Sequence, residues 1–160
     1  MRLSTRGRYA VMAMVEMAVR QRGGDLTSLQ ERPVSLADIA GAQQLSLAYL
    51  EQLFGRLRRA GLVASARGPG GGYRLARAPE LIAVSEIVDA VDEPIRATRC
   101  EEGSPGCLAA GGKCVTHDLW SELGEQIRLF LAHMTLADIV GGRVRGRAAR
   151  PLAEVSQAAE

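Results

Sequence analysis

Apolar residues change rhythm several times along this chain, and each rhythm predicts a different element. From Ser4 to about Arg20 the chain is apolar at most positions: Tyr9, Ala10, Val11, Met12, Ala13, Met14, Val15, Met17, Ala18 and Val19. A helix with so little polar face must be covered by more than one neighbour. Gln21 to Pro33, rich in glycine and polar residues, reads as a loop. Ser35-Leu-Ala-Asp38 is the Ser-x-x-acid signature of a helix start. It opens a short helix with Leu36, Ile39 and Ala40 inward, ending near Gly41. Ser46 is placed to cap a second helix that runs to Ala60 and is stopped by Gly61. Leu47, Leu50, Leu53, Phe54 and Leu57 recur at spacings of three and four and form its buried stripe.

After Gly61 the period shortens. Leu62–Ser65 and Tyr73–Leu75 are strand-like, and between them lies Arg67-Gly-Pro-Gly-Gly-Gly72, a hairpin tip that is almost pure glycine. A phosphate-cradling nucleotide loop would need a strand before it, a helix after it and a terminal Lys-Ser/Thr, and these are missing. Pro79 to Asp92 predicts a short strand at Ile82–Val84 and a helix carrying Ile87, Val88 and Val91. Thr116 to Met134 predicts a long helix. Its Trp120, Leu123, Ile127, Phe130 and Met134 alternate by three and four like a coiled-coil seam. Gly124 weakens that helix but permits close approach of another backbone. Thr135-Leu-Ala-Asp138 opens a last short helix, and the sequence from Gly141 onward has no apolar period.

The predicted fold is mainly α with a small β-wing. Residues 1–92 form a winged helix-turn-helix, 93–117 a cysteine-bearing loop and 116–141 a dimerisation helix with a short helix after it. Residues 142–160 form a disordered tail. The long seam could pack on its own domain, but it better suits an antiparallel or crossing pair with a second copy of the chain, because its helix follows a loop rather than a core element. A homodimer would present two recognition helices to a pseudo-palindromic stretch of double-stranded DNA.

The residues left off the second helix's stripe supply the chemistry for reading DNA. Ser46 and Ala48 are small enough to approach base edges, and Tyr49, Glu51 and Gln52 reach further. Glutamine reads adenine bidentately, and glutamate accepts from the cytosine amino group. A carboxylate in a groove is repelled by phosphates, so Glu51 would penalise most sequences and admit those with a suitably placed cytosine. The plainer alternative is a surface pairing of Glu51 with Arg58 or with solvent. Arg67 on the wing suits the minor groove. Arg2, Arg6, Arg8, Arg56, Arg58 and Arg59 suit phosphates, which fix position without reading sequence.

Charge agrees with that division. Residues 1–80 hold 12 Lys/Arg against 6 Asp/Glu, and residues 81–160 hold 8 against 12. A polyanion partner is therefore expected for the first half alone. No apolar run has the length of a membrane span, and the apolar stretch after the basic start is broken by Glu16 without a cleavage site. The cysteine count is odd and no export signal is read, which points to reduced thiols in the cytoplasm. No Ser/His/Asp set or pair of carboxylates suggests an enzyme.

All 3 cysteines fall in one glycine-rich stretch, Cys100 to His117. Six residues separate Cys100 from Cys107, six separate Cys107 from Cys114, and two separate Cys114 from His117. Three thiols and an imidazole on irregular backbone suit a soft, N/S-loving metal. Structural zinc sites usually use close Cys-x-x-Cys pairs, which are missing, whereas iron–sulfur clusters accept wider, loop-borne spacing and a histidine ligand. The residues alone leave open an iron–sulfur cluster, zinc, or a set of redox-reactive thiols. An electron-transfer or cluster-carrier protein would need neither the basic helix nor the wing.

With both halves placed, the chain resembles the IscR family of iron–sulfur cluster regulators, winged-helix repressors. The resemblance rests on Met1-Arg-Leu-Ser-Thr-Arg-Gly-Arg-Tyr-Ala-Val11, Leu47-Ala-Tyr-Leu-Glu-Gln-Leu-Phe54, Arg67-Gly-Pro-Gly-Gly-Gly-Tyr73, Ala97-Thr-Arg-Cys100 and Lys113-Cys-Val-Thr-His117. It covers about residues 1–141. It implies a homodimeric transcription factor holding a 2Fe–2S cluster through Cys100, Cys107, Cys114 and His117, loaded by the iron–sulfur assembly machinery. It also implies DNA contacts by Tyr49, Glu51, Gln52 and Arg67, and control of cluster-assembly genes. The chain departs from the family pattern in three places. Each inter-cysteine stretch is one residue longer, Ala48 stands where the family often has serine, and the Arg22–Arg32 loop is longer.

Overall fold

The computed structural model describes residues 5–22, 33–91, 106–108 and 111–144. Six α-helices are described: α1 Thr5–Arg22, α2 Leu36–Gln43, α3 Leu47–Arg59, α4 Val84–Val91, α5 His117–Ala132 and α6 Leu136–Val140. Strands β1 (Val63–Ala66) and β2 (Gly72–Leu75) form one antiparallel hairpin, with Val63 opposite Leu75 and Ala66 opposite Gly72. The mainly helical, winged architecture predicted from periodicity is the one observed.

Helix α1 is the hub. It packs against α2, α3, α4, α6 and β2, which is why its sequence has so little polar face. Ala10, Ala13, Met14, Met17 and Ala18 are buried there. They share one core with Ile39 of α2, Leu50, Leu53, Phe54 and Leu57 of α3, and Ile87 and Val91 of α4. Leu47, expected on the α3 stripe, is 44% exposed. It lies in the first turn, at the stripe's edge.

Helix α2 starts as its sequence predicts, with the Asp38 N–H donating to Ser35 Oγ at 3.1 Å. It runs past Gly41 to Gln43 and stops at Gln44, which takes the left-handed conformation (φ 52°, ψ 42°). Leu45 then packs on the core, and its N–H reaches back to the Ala40 carbonyl at 3.0 Å. That six-to-one closure with an apolar contact ends a helix without glycine, which is why the Gly41 signal misleads. Three residues, Gln44–Ser46, join α2 to α3.

The wing is tied to the helix-turn-helix at its base. Val34, just before α2, exchanges two backbone hydrogen bonds with Tyr73 (2.8 and 2.9 Å). The Phe54 ring of α3 meets Tyr73 edge-on, with centroids 5.0 Å apart. Gly72 sits where the two backbones converge, and a Cβ there would collide with the Val34 carbonyl. Gly72→Ala should therefore push the strands apart and cost about 1–3 kcal/mol, the range for overpacking a closed site. Urea denaturation would measure it, and an unchanged midpoint would show that the bridge is dispensable.

The strand expected at Ile82–Val84 does not form. Pro79–Leu81 is a 3₁₀ turn, Ala83 makes a single bridge to Thr135, and α4 begins at Val84. Thr135 is itself the N-cap of α6, so no extended partner exists for a longer ladder. The pairing nevertheless fastens α6 to the core. The Val84 N–H donates to the Met134 carbonyl (2.8 Å), the Leu136 N–H donates to the Ile82 carbonyl (3.0 Å), and Leu136 is fully buried.

A reciprocal capping box starts α6. Thr135 Oγ1 accepts from the Asp138 N–H at 3.2 Å, and Asp138 Oδ2 accepts from the Thr135 N–H at 3.1 Å and the Thr135 hydroxyl at 2.7 Å. Arg143 donates to Asp138 Oδ1 at 3.1 Å. Hydrogen bonds from the Thr135 hydroxyl and N–H, then from Arg143, hold the Asp138 carboxyl below its usual range. A carboxylate depressed in the folded state stabilises it above the unfolded pKa, about 3.9, and loses that contribution as pH falls through the folded value. Asp138→Asn should thus lower Tm at neutral pH and shrink that difference as acid is added. A difference that persists undiminished below pH ~3 would refute the linkage.

Candidate DNA-reading face and cysteine–histidine cluster

The stripe that buries one side of α3 leaves a polar face pointing outward. Ser46, Ala48, Glu51, Gln52, Arg58 and Arg59 are exposed. Ser46 is the N-cap by position but makes no side-chain capping bond. The C-terminal turn carries Arg56, Arg58 and Arg59, where cations complement the helix dipole. Arg67 is exposed at the start of the wing tip.

Two of the residues singled out in α3 have partners on neighbouring helices. Tyr49 is half-buried and packs edge-on against Tyr9 of α1, with centroids 6.0 Å apart. Arg56 Nη1 donates to the Val91 carbonyl, the last of α4, at 2.8 Å. Arg6 and Arg8 are exposed near the start of α1, whose first turn has no acidic residue. Cations are disfavoured at that end of a helix dipole. Arg2 lies outside the described residues.

The metal-ligand candidates are partly gathered. Cys107 Sγ lies 3.0 Å from His117 Nδ1. His117 is the first residue of α5, and its N–H donates to the Cys114 carbonyl at 3.0 Å, so a tight turn links these two candidates. Cys114 Sγ is 3.6 Å from Thr116 Oγ1. Cys100 lies outside the described residues. Among the described residues no three His, Cys, Asp or Glu side chains converge as a metal site. Three thiols and one imidazole are nevertheless a donor set suited to an iron–sulfur group, and Cys107 and His117 are already within reach of a shared centre.

Glycine backbone sets the position of Cys107. The Cys107 N–H donates to the Gly112 carbonyl at 2.9 Å, and Gly106 pairs with Gly112 so closely that a Cβ on Gly106 would collide with it. Gly106, Cys107 and Leu108 are thereby closed against Gly112. In the sequence these glycines read as loop composition, and only a pairing across the turn distinguishes them. Lys113 and Asp118 (3.3 Å, both exposed) pair across the entry to α5.

The apolar seam of α5 is uncovered. Leu119, Trp120, Leu123 and Phe130 are 62%, 44%, 39% and 44% exposed, and Gly124 is the buried residue of the helix. No helix among the described residues is long and apolar enough to cross a membrane.

Residues 3–142 match a family described as "Rrf2: Iron-dependent Transcriptional regulator". The chain belongs to the Rrf2 family. It is 50% identical over 143 residues to the HTH-type transcriptional regulator IscR of Yersinia pseudotuberculosis, covering 89% of this chain and 81% of that one. Among solved structures, IscR of T. potens matches at 34% identity with a TM-score of 0.68, covering 97% and 96% of the two chains. CymR, the global cysteine regulator of B. subtilis, matches at 33% identity with a TM-score of 0.69, covering 89% and 98%. The resemblance drawn from sequence motifs is thus upheld. As a member of the Rrf2 family this chain is an IscR-like transcriptional regulator that binds DNA, not an enzyme.

Proposed function

We propose that this regulator senses an iron–sulfur cluster and chooses its DNA sites by cluster occupancy, controlling genes for cluster assembly. The observation that carries the reading is the 3.0 Å approach of Cys107 Sγ to His117 Nδ1 at the first turn of a helix whose apolar stripe is uncovered. A metal-ligand loop and an assembly face therefore meet at one point of the chain. Cys100, Cys107, Cys114 and His117 would hold a 2Fe–2S group, which would supply an iron-dependent link among four donors. The assembly machinery would load it in the cytoplasm.

Residues 1–92 act as the DNA-binding domain, 93–117 as the sensing loop and 116–141 as the dimer-forming part. Two copies joined through the stripe of α5 place two α3 helices on a pseudo-palindromic duplex. Ser46, Ala48, Tyr49, Glu51 and Gln52 meet bases, and Arg67 enters the minor groove. Arg2, Arg6, Arg8, Arg58 and Arg59 hold phosphates. Phosphate near Arg6 and Arg8 explains cations at an unfavourable helix end.

Net charge is a poor messenger between loop and groove. Three thiolates and a neutral imidazole around a +2 core would total −1, against zero for three protonated thiols and a neutral imidazole, and that one charge is screened over roughly 8 Å. The chain's own response must be mechanical: ordering of the loop against α5 changes how the dimer presents Glu51. Anaerobic purification followed by visible absorption, iron, sulfide and zinc counts, and DNA binding before and after chelation tests this. Two irons and two sulfides per chain and altered site choice after chelation are expected. Zinc alone, or a colourless protein with unchanged site choice after iron and sulfide are supplied, would overturn the reading.

A further inference from the structure

We infer that Arg56 is a positioning residue for the recognition helix, clamping α3 to the end of α4, rather than a phosphate anchor. Periodicity places it among the arginines of the last turn of α3, and by sequence it is indistinguishable from Arg58 and Arg59. In the fold it differs from both. Arg56 is exposed like them, but its Nη1 donates to the Val91 carbonyl at 2.8 Å, whereas Arg58 and Arg59 make no side-chain hydrogen bond or ion pair with any described residue.

Val91 is the last described residue of α4, and carbonyls in the last turn of a helix take donors from outside it. The last turn of α4 holds no basic residue, and Asp92 and Glu93 follow in sequence, the wrong sign for that end of the dipole. An arginine from a neighbouring helix meets both needs at once, as a donor and as a cation. Replacing it would leave a carbonyl at the α3–α4 contact without that donor.

The place of Arg56 on α3 shows what the clamp does. It lies seven positions, nearly two turns, after Tyr49, so the two are on one flank of the helix. Tyr49 rests on Tyr9 of α1 and Arg56 on Val91 of α4, and α1 and α4 pack on each other. The flank is thus braced at both ends by one rigid pair of helices. Glu51, Gln52 and Arg59 are left outward on the neighbouring face. Loss of one brace lets α3 roll, and rolling moves base-reading side chains out of register more than it alters total charge. Helix α4 also touches α5, so the brace joins the reading helix to the half of the molecule that carries the cysteines. The inference needs only DNA binding, and holds with or without a cluster.

The test compares Arg56→Met with Arg59→Met, using a duplex selected from a random pool by the wild-type protein and an unselected duplex of equal length. Binding is followed by fluorescence anisotropy across a salt series. Arg59→Met should reduce the slope of log K against log salt by about 0.9 for each phosphate it no longer neutralises. Arg56→Met should leave that slope unchanged, lower the preference for the selected duplex by about 10-fold and lower Tm by roughly 3–6 °C. A slope that falls in Arg56→Met as it does in Arg59→Met, with Tm unchanged, would make Arg56 a phosphate anchor. A lower Tm with full retention of preference would make it merely structural. Either result overturns the proposal. If Arg56→Met does not fold, Arg56→Gln, a milder neutralisation that keeps a donor on the same flank, carries the same test of slope and preference.

Discussion

Replacing Phe54 by alanine should cost about 3–5 kcal/mol, the range for truncating a fully buried aromatic side chain, a large share of what a domain of this size has to lose. Phe54 is completely buried in α3 and its ring meets Tyr73 of β2 edge-on at 5.0 Å. The ring therefore fills core volume and also joins the recognition helix to the wing. Phe54→Leu recovers most of the apolar area but not the ring–ring interaction, worth about 0.5–1.5 kcal/mol. Urea unfolding of the three proteins separates the two contributions. If Phe54→Ala cost less than ~1 kcal/mol, the site would have collapsed around the deletion and the ring would not be what holds the wing.

Charging the stripe of α5 should separate the proposed dimer. Leu123→Asp with Phe130→Asp places two carboxylates on an apolar surface that the single chain leaves open, so the monomer's own core is untouched. Burying them against a second copy would cost far more than the stripe returns. A monomer presents one recognition helix instead of two, and without the linked second helix binding to a two-fold duplex should weaken by about 10²–10⁴. Sedimentation reports the mass and anisotropy the affinity. Wild-type protein that sediments as a monomer, or a double variant that remains dimeric, would remove α5 as the assembly face.

Much of this fold is legible in the order of residue types. The continuous apolar run of α1, the three-and-four spacing of Leu50, Leu53, Phe54 and Leu57, and the glycines of the wing are local signals, and each forms the element it predicts. The misreadings share a different cause. Gln44 ends α2 because Leu45 finds a place in the core, which no property of Gly41 foretells. Ala83 stays a single bridge because its partner, Thr135, lies 52 residues away at the start of another helix. The hydrogen bond from Arg56 to Val91 is likewise invisible until α4 is seen beside α3. The cysteine cluster is legible as composition, and the approach of Cys107 to His117 agrees with it. The glycine pairing that seats Cys107 depends on two residues meeting across a turn, which spacing does not encode.

The bridge between Ala83 and Thr135 has a consequence for how such a regulator can vary. Met134 is hydrogen-bonded to Val84 and Leu136 to Ile82, so the start of α6 is fastened to the start of α4. That stitch is made by backbone groups of Ile82, Val84, Met134 and Leu136 alone and does not depend on which side chains lie between the two helices in sequence. Length changes in the cysteine-rich stretch need not disturb that stitch, so the two halves of the polypeptide are free to diverge at different rates.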